Sequence, residues 1–124
     1  MLGIIKKWRR NKEPDKEKLV YIASPCRGDV KRNMRKAAKY TMTAIRRGAV
    51  PITPHLFYST VLNDNVPEER DAGMKMGIAL LCVCDELWVF GTPTEGMIAE
   101  VEEAIKLKIP VIYHSEAGER KDAV

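Results

Sequence analysis

Leu19-Val20-Tyr21-Ile22-Ala23-Ser24-Pro25-Cys26-Arg27-Gly28-Asp29 decides the fold. Leu19 to Ala23 is a short β-rich apolar run. The Ser-Pro-Cys-Arg-Gly-Asp that follows has loop chemistry, so the stretch reads as a strand emptying into a loop. Asp29 can cap a helix whose inner stripe is Val30, Met34, Ala37, Ala38, Thr41 and Ile45. Its other face carries Lys31, Arg32, Arg35, Lys36, Lys39 and Arg46. Gly48 ends that helix. Strand, polar loop and amphipathic helix in this order form the unit from which parallel sheets are built.

Downstream the unit repeats. Ala49 to Thr53 reads as a second strand stopping at Pro54-His55, and Leu56 to Leu62 as a helical turn. Asn63 to Val66 is a loop. Pro67 opens a helix running to about Val83, with Glu68, Glu69 and Asp71 near its positive end. Glu86 to Phe90 is a third strand. Thr92-Pro93-Thr94-Glu95 has the form of a capping box with proline at the first helical position, opening a helix to about Lys108. Pro110 to Tyr113 is a fourth strand, and the last ten residues read as a polar tail. The order β-α-β-(α)-α-β-α-β predicts a parallel sheet with helices on both faces and right-handed crossovers.

Composition agrees. The chain has 124 residues, 45% hydrophobic and 31% charged, which suits one compact domain and leaves no room for a second. No apolar run approaches the ~20 residues of a membrane span, and collagen, coiled coil and wholesale disorder are excluded. The net charge of +4 sits in residues 1–18, where seven basic residues face three acidic ones. That segment reads as a basic flexible arm ahead of a domain over 19–115 and a polar tail over 116–124. The remaining 14 basic and 14 acidic residues cancel, so the pI of 9.0 belongs to the arm and nucleic acid is an unlikely partner. The cysteines Cys26, Cys82 and Cys84 fit neither a disulfide framework nor a zinc ligand set. Met1 to Ile5 is too short for a signal peptide, so a reducing, cytoplasmic setting is expected.

In parallel sheets ligands bind outside the carboxyl ends of the strands. Ser24–Asp29, Pro54–His55 and Gly91–Met97 should therefore share one edge. Arg27 and Gly28, leading into a helix start, make either an anion seat or an ordinary turn with a solvated arginine. Glu100 lies three residues after Met97 and four before Ala104, so it borders the stripe formed by Met97, Val101, Ala104 and Ile105. It is either a helix-face carboxylate in solvent or a half-buried one able to act as nucleophile, base or hydroxyl acceptor. His55 is a ligand contact or a capping side chain. Tyr21 carries a polar tip near its strand's carboxyl end, while Trp88, Phe90, Met74 and Met76 read as packing residues.

Together these residues resemble the nucleoside 2-deoxyribosyltransferase-like superfamily. That superfamily includes deoxynucleoside 5′-monophosphate N-glycosidases and small, often phage-associated domains. The resemblance spans about residues 19–113. It rests on Tyr21-Ile22-Ala23-Ser24-Pro25-Cys26-Arg27-Gly28, on Gly48 through Pro54-His55, on Cys84-Asp85-Glu86-Leu87-Trp88-Val89-Phe90-Gly91, and on Gly96-Met97 with Glu100 ten residues before Pro110. It implies an α/β, flavodoxin/Rossmann-like three-layer sandwich with a four- to five-stranded parallel sheet. It also implies a cleft for a nucleoside or nucleotide, no metal or redox cofactor, and a homodimer. By position Glu100 matches the nucleophile that attacks C1′ of deoxyribose, Tyr21 the tyrosine that orients it, and Arg27 with Gly28 the phosphate-contacting loop. Ser24, Asn33, His55, Glu95, Gly96 and Met97 complete the expected substrate contacts.

Two positions depart from that pattern. The enzymes carry an aspartate eight residues before the one preceding the third strand, and here that position is Gly77. A second acid, expected six residues before the nucleophile, is replaced by Thr94. Asp71 or Glu95 would have to supply the proton for the leaving base, a contribution on the order of 10²–10⁴ in rate. The resulting expectation is a nucleotide-binding protein that cleaves or transfers at the N-glycosidic bond of a (deoxy)nucleoside 5′-monophosphate. The alternative is a non-catalytic nucleotide-binding module, a sensor or sponge for a nucleotide signal.

Overall fold

A computed structural model describes residues 15–121. The elements run β1 (Leu19–Ala23), α1 (Val30–Arg46), β2 (Val50–Ile52), α2 (Pro54–Tyr58), α3 (Pro67–Leu81), β3 (Glu86–Phe90), α4 (Glu95–Lys106) and β4 (Val111–His114). The four strands form one parallel sheet in the order β2-β1-β3-β4. Tyr21 sits level with Ile52 on one side and Leu87 on the other. The chain is thus an α/β, Rossmann-like fold. Among the described residues no helix is long and apolar enough to cross a membrane.

Successive strand residues point to opposite faces, and this alternation sorts the core into two layers. Val20, Ile22, Trp88 and Phe90 pack with Tyr40 and Ala44 of α1. Tyr21, Ala23, Leu87 and Val89 pack on the other face with Leu81 of α3 and with Met97 and Ala104 of α4. On the α1 side Tyr40 stacks on Phe90 with ring centroids 4.3 Å apart, and Phe90 stacks in turn on buried His114 at 4.4 Å.

That stack explains why α1 buries a different stripe from the one its apolar residues suggest. Asn33, Ala37, Tyr40 and Ala44 face the sheet, while Val30 and Ile45 are 58% and 50% exposed. Alanines at 37 and 44 let the helix approach closely enough for the Tyr40 ring to lie flat on Phe90. The large aromatic contact outweighs the smaller aliphatic one. Other expectations also shift. The N-cap of α4 is Thr94, whose hydroxyl accepts from the Met97 amide at 3.4 Å, so Pro93 precedes the helix instead of opening it. His55 lies in the first turn of α2, just past the end of β2.

Both ends of the described residues are tied to the domain. Lys18 pairs with Glu86 at 3.0 Å, and Asp15 pairs with Arg120 at 3.1 Å. Glu116 meets Lys36 at 3.2 Å, and the Gly118 carbonyl accepts from Arg47 at 2.6 Å. Residues 1–14 of the expected basic arm lie outside the described residues.

One glycine in this fold is a spatial requirement. Gly77 is buried in α3, and a Cβ there would stand 2.8 Å from the Tyr21 hydroxyl oxygen. In an open helix Gly→Ala gains up to about 1 kcal/mol. Here the Tyr21 ring is fixed in a central strand and 3% exposed, so overpacking costing roughly 1–3 kcal/mol decides the sign. Gly77→Ala is therefore expected to lower stability in urea denaturation. Adding Tyr21→Phe, which removes the obstructing oxygen, should recover most of that loss; no recovery in the double variant would refute the contact.

Candidate active site

The strand order places the switch point between β1 and β3. From β1 the chain leaves through α1 to β2 on one side, and from β3 it leaves through α4 to β4 on the other. The loops after β1 and β3 diverge there and leave a crevice at the carboxyl edge. Three groups reach it from different elements. Tyr21 comes from β1 and Glu100 from the second turn of α4, while Cys26 lies in the loop after β1.

Tyr21 points to the α3/α4 face because of its place in the β1 alternation, and Glu100 borders the buried stripe of α4. The two side chains approach each other so that the phenol can donate to the carboxylate. Glu100 is half-buried, and loss of water pushes its carboxyl up to about 7 even though the Tyr21 hydrogen bond pulls the other way. Burial, then the charge and hydrogen bond of Glu100, raise the Tyr21 phenol far above its ordinary value, so it stays protonated. The Cys26 thiol, turned toward the Ser24 carbonyl at 3.7 Å, is pushed up to about 12 by desolvation and by the Glu100 and Asp64 charges. Gly77 closes the pair from below. The hydroxyl of Tyr21 occupies the space where any side chain at 77 would begin.

The loop after β1 is held from beneath. Asn33, 7% exposed in α1, donates from Nδ2 to the Arg27 carbonyl at 2.6 Å, and Gly28 turns the chain with a φ of +96°. Gly28 thus needs left-handed backbone, and Asn33 supports the loop rather than presenting its amide to the crevice. Ser24 is buried, and its hydroxyl meets no hydrogen-bond partner among the described residues. Arg27 itself projects into solvent, with its Nε 3.9 Å from the Asp64 carboxylate.

Asp64 is the residue that sequence reasoning passed over. It sits in the Asn63–Val66 loop, which is fixed where the Asn63 amide donates to Glu69 at 3.1 Å. Its charge reaches Arg27, Cys26 and His55 together. Burial lowers the half-buried His55 imidazole, while Asp64 draws it back up. The clue in the sequence was positional: the chain leaving β2 passes through only one short helix, α2, before Asp64, so its return to the carboxyl edge was topologically available.

The expected stand-in acids lie elsewhere. Asp71 is exposed, ion-paired to Lys75 at 3.0 Å, and lines a cavity of about 390 Å³ beside Arg27 instead of joining the Tyr21–Glu100 pair. Glu95 is exposed in the first turn of α4, and neighbouring Gly96 has open space around its Cα. Met97 is a core residue, 1% exposed, and its sulfur accepts from the Thr94 amide at 3.5 Å. Among the described residues no three His, Cys, Asp or Glu side chains gather to hold a metal ion.

Glu100 makes stability depend on pH in a direction opposite to that of a paired carboxylate. Its folded value of about 7 lies above the ordinary 4.5, so between those values the native state binds more protons than the unfolded state. Stability from this group is therefore full below about 4.5 and is lost as pH rises through 7, a change on the order of 3 kcal/mol. His114, lowered to about 4 by burial and by Arg47 and Arg120, works the other way, costing stability as pH falls from 6.5. Subtracting the Glu100→Gln curve from the wild-type curve, by urea denaturation from pH 5 to 8, isolates the first effect and should leave a falling difference. Tyr21→Phe should move the Glu100 carboxyl, followed by carbon NMR, above 7; an unchanged value removes the hydrogen bond.

Among solved structures, one that matches is a 2-deoxyribosyltransferase from the psychrotolerant bacterium Bacillus psychrosaccharolyticus. It aligns with a TM-score of 0.65 at 18% identity, covering 84% of this chain and 77% of that one. This likeness shows the fold. No curated protein matches. A family match covers residues 18–114, from the residue before β1 to the last residue of β4, and on that span the chain belongs to the family described as Domain of unknown function (DUF7768).

Proposed function

We propose that this chain binds a (deoxy)nucleoside 5′-monophosphate at the carboxyl edge of β1 and β3 and cleaves its N-glycosidic bond. The observation that carries this is the half-buried Glu100 carboxyl, raised to about 7 and hydrogen-bonded to Tyr21, at the switch-point crevice beside the Arg27 loop. The fold it shares with a 2-deoxyribosyltransferase supports the same class of chemistry. Arg27, whose Asp64 contact is long and exposed, is free to exchange that carboxylate for a substrate phosphate. Gly28 and Gly96, with open space where a side chain would begin, leave room for the sugar phosphate to approach the backbone, and His55 stands at the second strand's end toward the base.

In the ionised state a Glu100 oxygen attacks C1′. The C1′–N bond breaks, its electron pair leaves with the base, and the base takes up a proton. Water, or a second base, then opens the Glu100–C1′ ester and restores the carboxylate. Tyr21 orients the attacking oxygen through its hydrogen bond. No metal or redox partner enters these steps.

A specific observation favours a second reading. The position where the related enzymes hold their acid is Gly77, and the Tyr21 hydroxyl fills the space beside it at 2.8 Å. A protein that only binds nucleotides needs no proton donor there, so a non-catalytic sensor or sponge keeps the same cleft.

Mass analysis of bases released from a pool of 2′-deoxynucleotides separates the two. For an enzyme, Glu100→Gln should cut release by about 10³-fold or more with affinity little changed, and release should rise as pH passes 7 and Glu100 ionises. A parent protein that binds nucleotides and frees no base establishes the binder. Under either reading Arg27→Ala should weaken 5′-phosphorylated ligands by about tenfold and leave nucleosides unaffected. Equal loss for both ligand types removes Arg27 from phosphate contact.

A further inference from the structure

The 390 Å³ cavity beside Arg27 has a second guanidinium in its wall. Arg70 stands in the first turn of α3, half-buried, and enters no ion pair among the described residues. The other charges lining the cavity are accounted for. Asp71 is held by Lys75 at 3.0 Å, and Asp64 stands 3.9 Å from Arg27. Both side chains of the latter pair are well exposed, 62% for Arg27 and 49% for Asp64, so this contact is weak and exchangeable. Pro67 and Met74 supply apolar wall between the charged groups. The cavity therefore holds one cation with no ion-pair partner among the described residues and one with a loosely held partner, both in the wall of the same space.

We infer that Arg27 and Arg70 together form a two-phosphate seat, so that the ligand of this cleft is a nucleotide carrying a 5′-diphosphate group. The inference rests on the nucleotide reading above and extends it. Arg27 takes the phosphate next to the sugar after giving up Asp64, and Arg70 takes the terminal phosphate. A planar guanidinium presents paired donors to phosphate oxygens, which makes arginine suited to both positions. The Asn63–Val66 loop, tied to α3 through Glu69, keeps Asp64 close enough to return to Arg27 when the site empties.

Calorimetric titration of the full chain with the 5′-mono- and 5′-diphosphates of the four 2′-deoxynucleosides, and with inorganic pyrophosphate, tests the seat. The diphosphate of the preferred nucleoside should bind about tenfold more tightly than its monophosphate. Arg70→Gln should erase that difference and leave monophosphate affinity within about twofold, while Arg70→Lys recovers part of it. Matched unfolding midpoints for the three proteins keep folding out of the comparison. Equal affinity for mono- and diphosphate in the wild type, or equal loss of both in Arg70→Gln, overturns the seat and leaves the monophosphate reading standing. Pyrophosphate binding that depends on Arg70, with no nucleotide bound, keeps the anion seat and removes the nucleotide reading. If no probe binds, both fall.

Discussion

The pairing of the Tyr21 phenol with the Glu100 carboxyl organises this edge of the fold. Each partner is costly to hold where it is. A carboxyl half removed from water favours its neutral form, and a phenol in the core needs an acceptor. Together they satisfy each other, and the geometry that lets them meet is set elsewhere. Tyr21 reaches the α3/α4 layer through strand alternation, Glu100 reaches it through its offset from Met97 and Ala104, and Gly77 leaves the volume the hydroxyl needs. Loss of any of the three would leave a buried polar group unpaired or overpacked. The site and the core are consequently one structure: the face of the sheet that buries Leu87 and Val89 is also the face that displays the carboxyl.

The alternation of apolar runs and amphipathic helices made the sheet legible, because strand and helix periods are local properties of the chain. Glu100 was legible for the same reason, since its position follows from counting along one helix. The inner face of α1 was not. Its aliphatic residues form a convincing stripe at Val30, Met34 and Ile45. The buried stripe is one position away because Tyr40 finds Phe90, a partner fifty residues on in another element. Asp64 and Arg70 were hidden likewise. Nothing in Asn63-Asp64-Asn65 distinguishes a solvated loop from one that carries a carboxylate back over the β1 loop. Only the turn between α2 and α3 brings it to Arg27, and that turn is a tertiary fact. The contacts of the C-terminal stretch were hidden for a related reason: the partners of Glu116, Gly118 and Arg120 are Lys36, Arg47 and Asp15, far away in sequence.

The charges at this edge fall into two compartments with different jobs. The inner one is the Tyr21–Glu100 pair, with the Cys26 thiol at its exposed lip. Phenol and thiol stay neutral, and only the carboxyl titrates near neutrality. The outer one, Arg27, Asp64, Arg70 and Asp71, borders the solvent, and its ion pairs are exposed and exchangeable. That division matches the ligand proposed above, with the guanidinium groups at the rim and a single carboxyl within.

The same division bears on whether the cleft turns substrate over. Departure of a base needs a proton at the far side of the sugar from the nucleophile, from a group that holds it at working pH and releases it readily. In the inner compartment Tyr21 and Cys26 hold protons but release them only far above neutrality, and the Tyr21 proton already serves Glu100. Burial lowers the His55 imidazole, which works against its serving as a proton donor. Asp64 is the acid whose charge reaches Cys26 and His55 as well as Arg27, but it stands at the exposed rim, 3.9 Å from the guanidinium, and not in the inner compartment. The inner compartment therefore pairs a carboxyl with an orienting phenol and supplies no second acid beside them, so whether bond cleavage or binding alone occurs there turns on a proton that must reach the cleft from its wet rim.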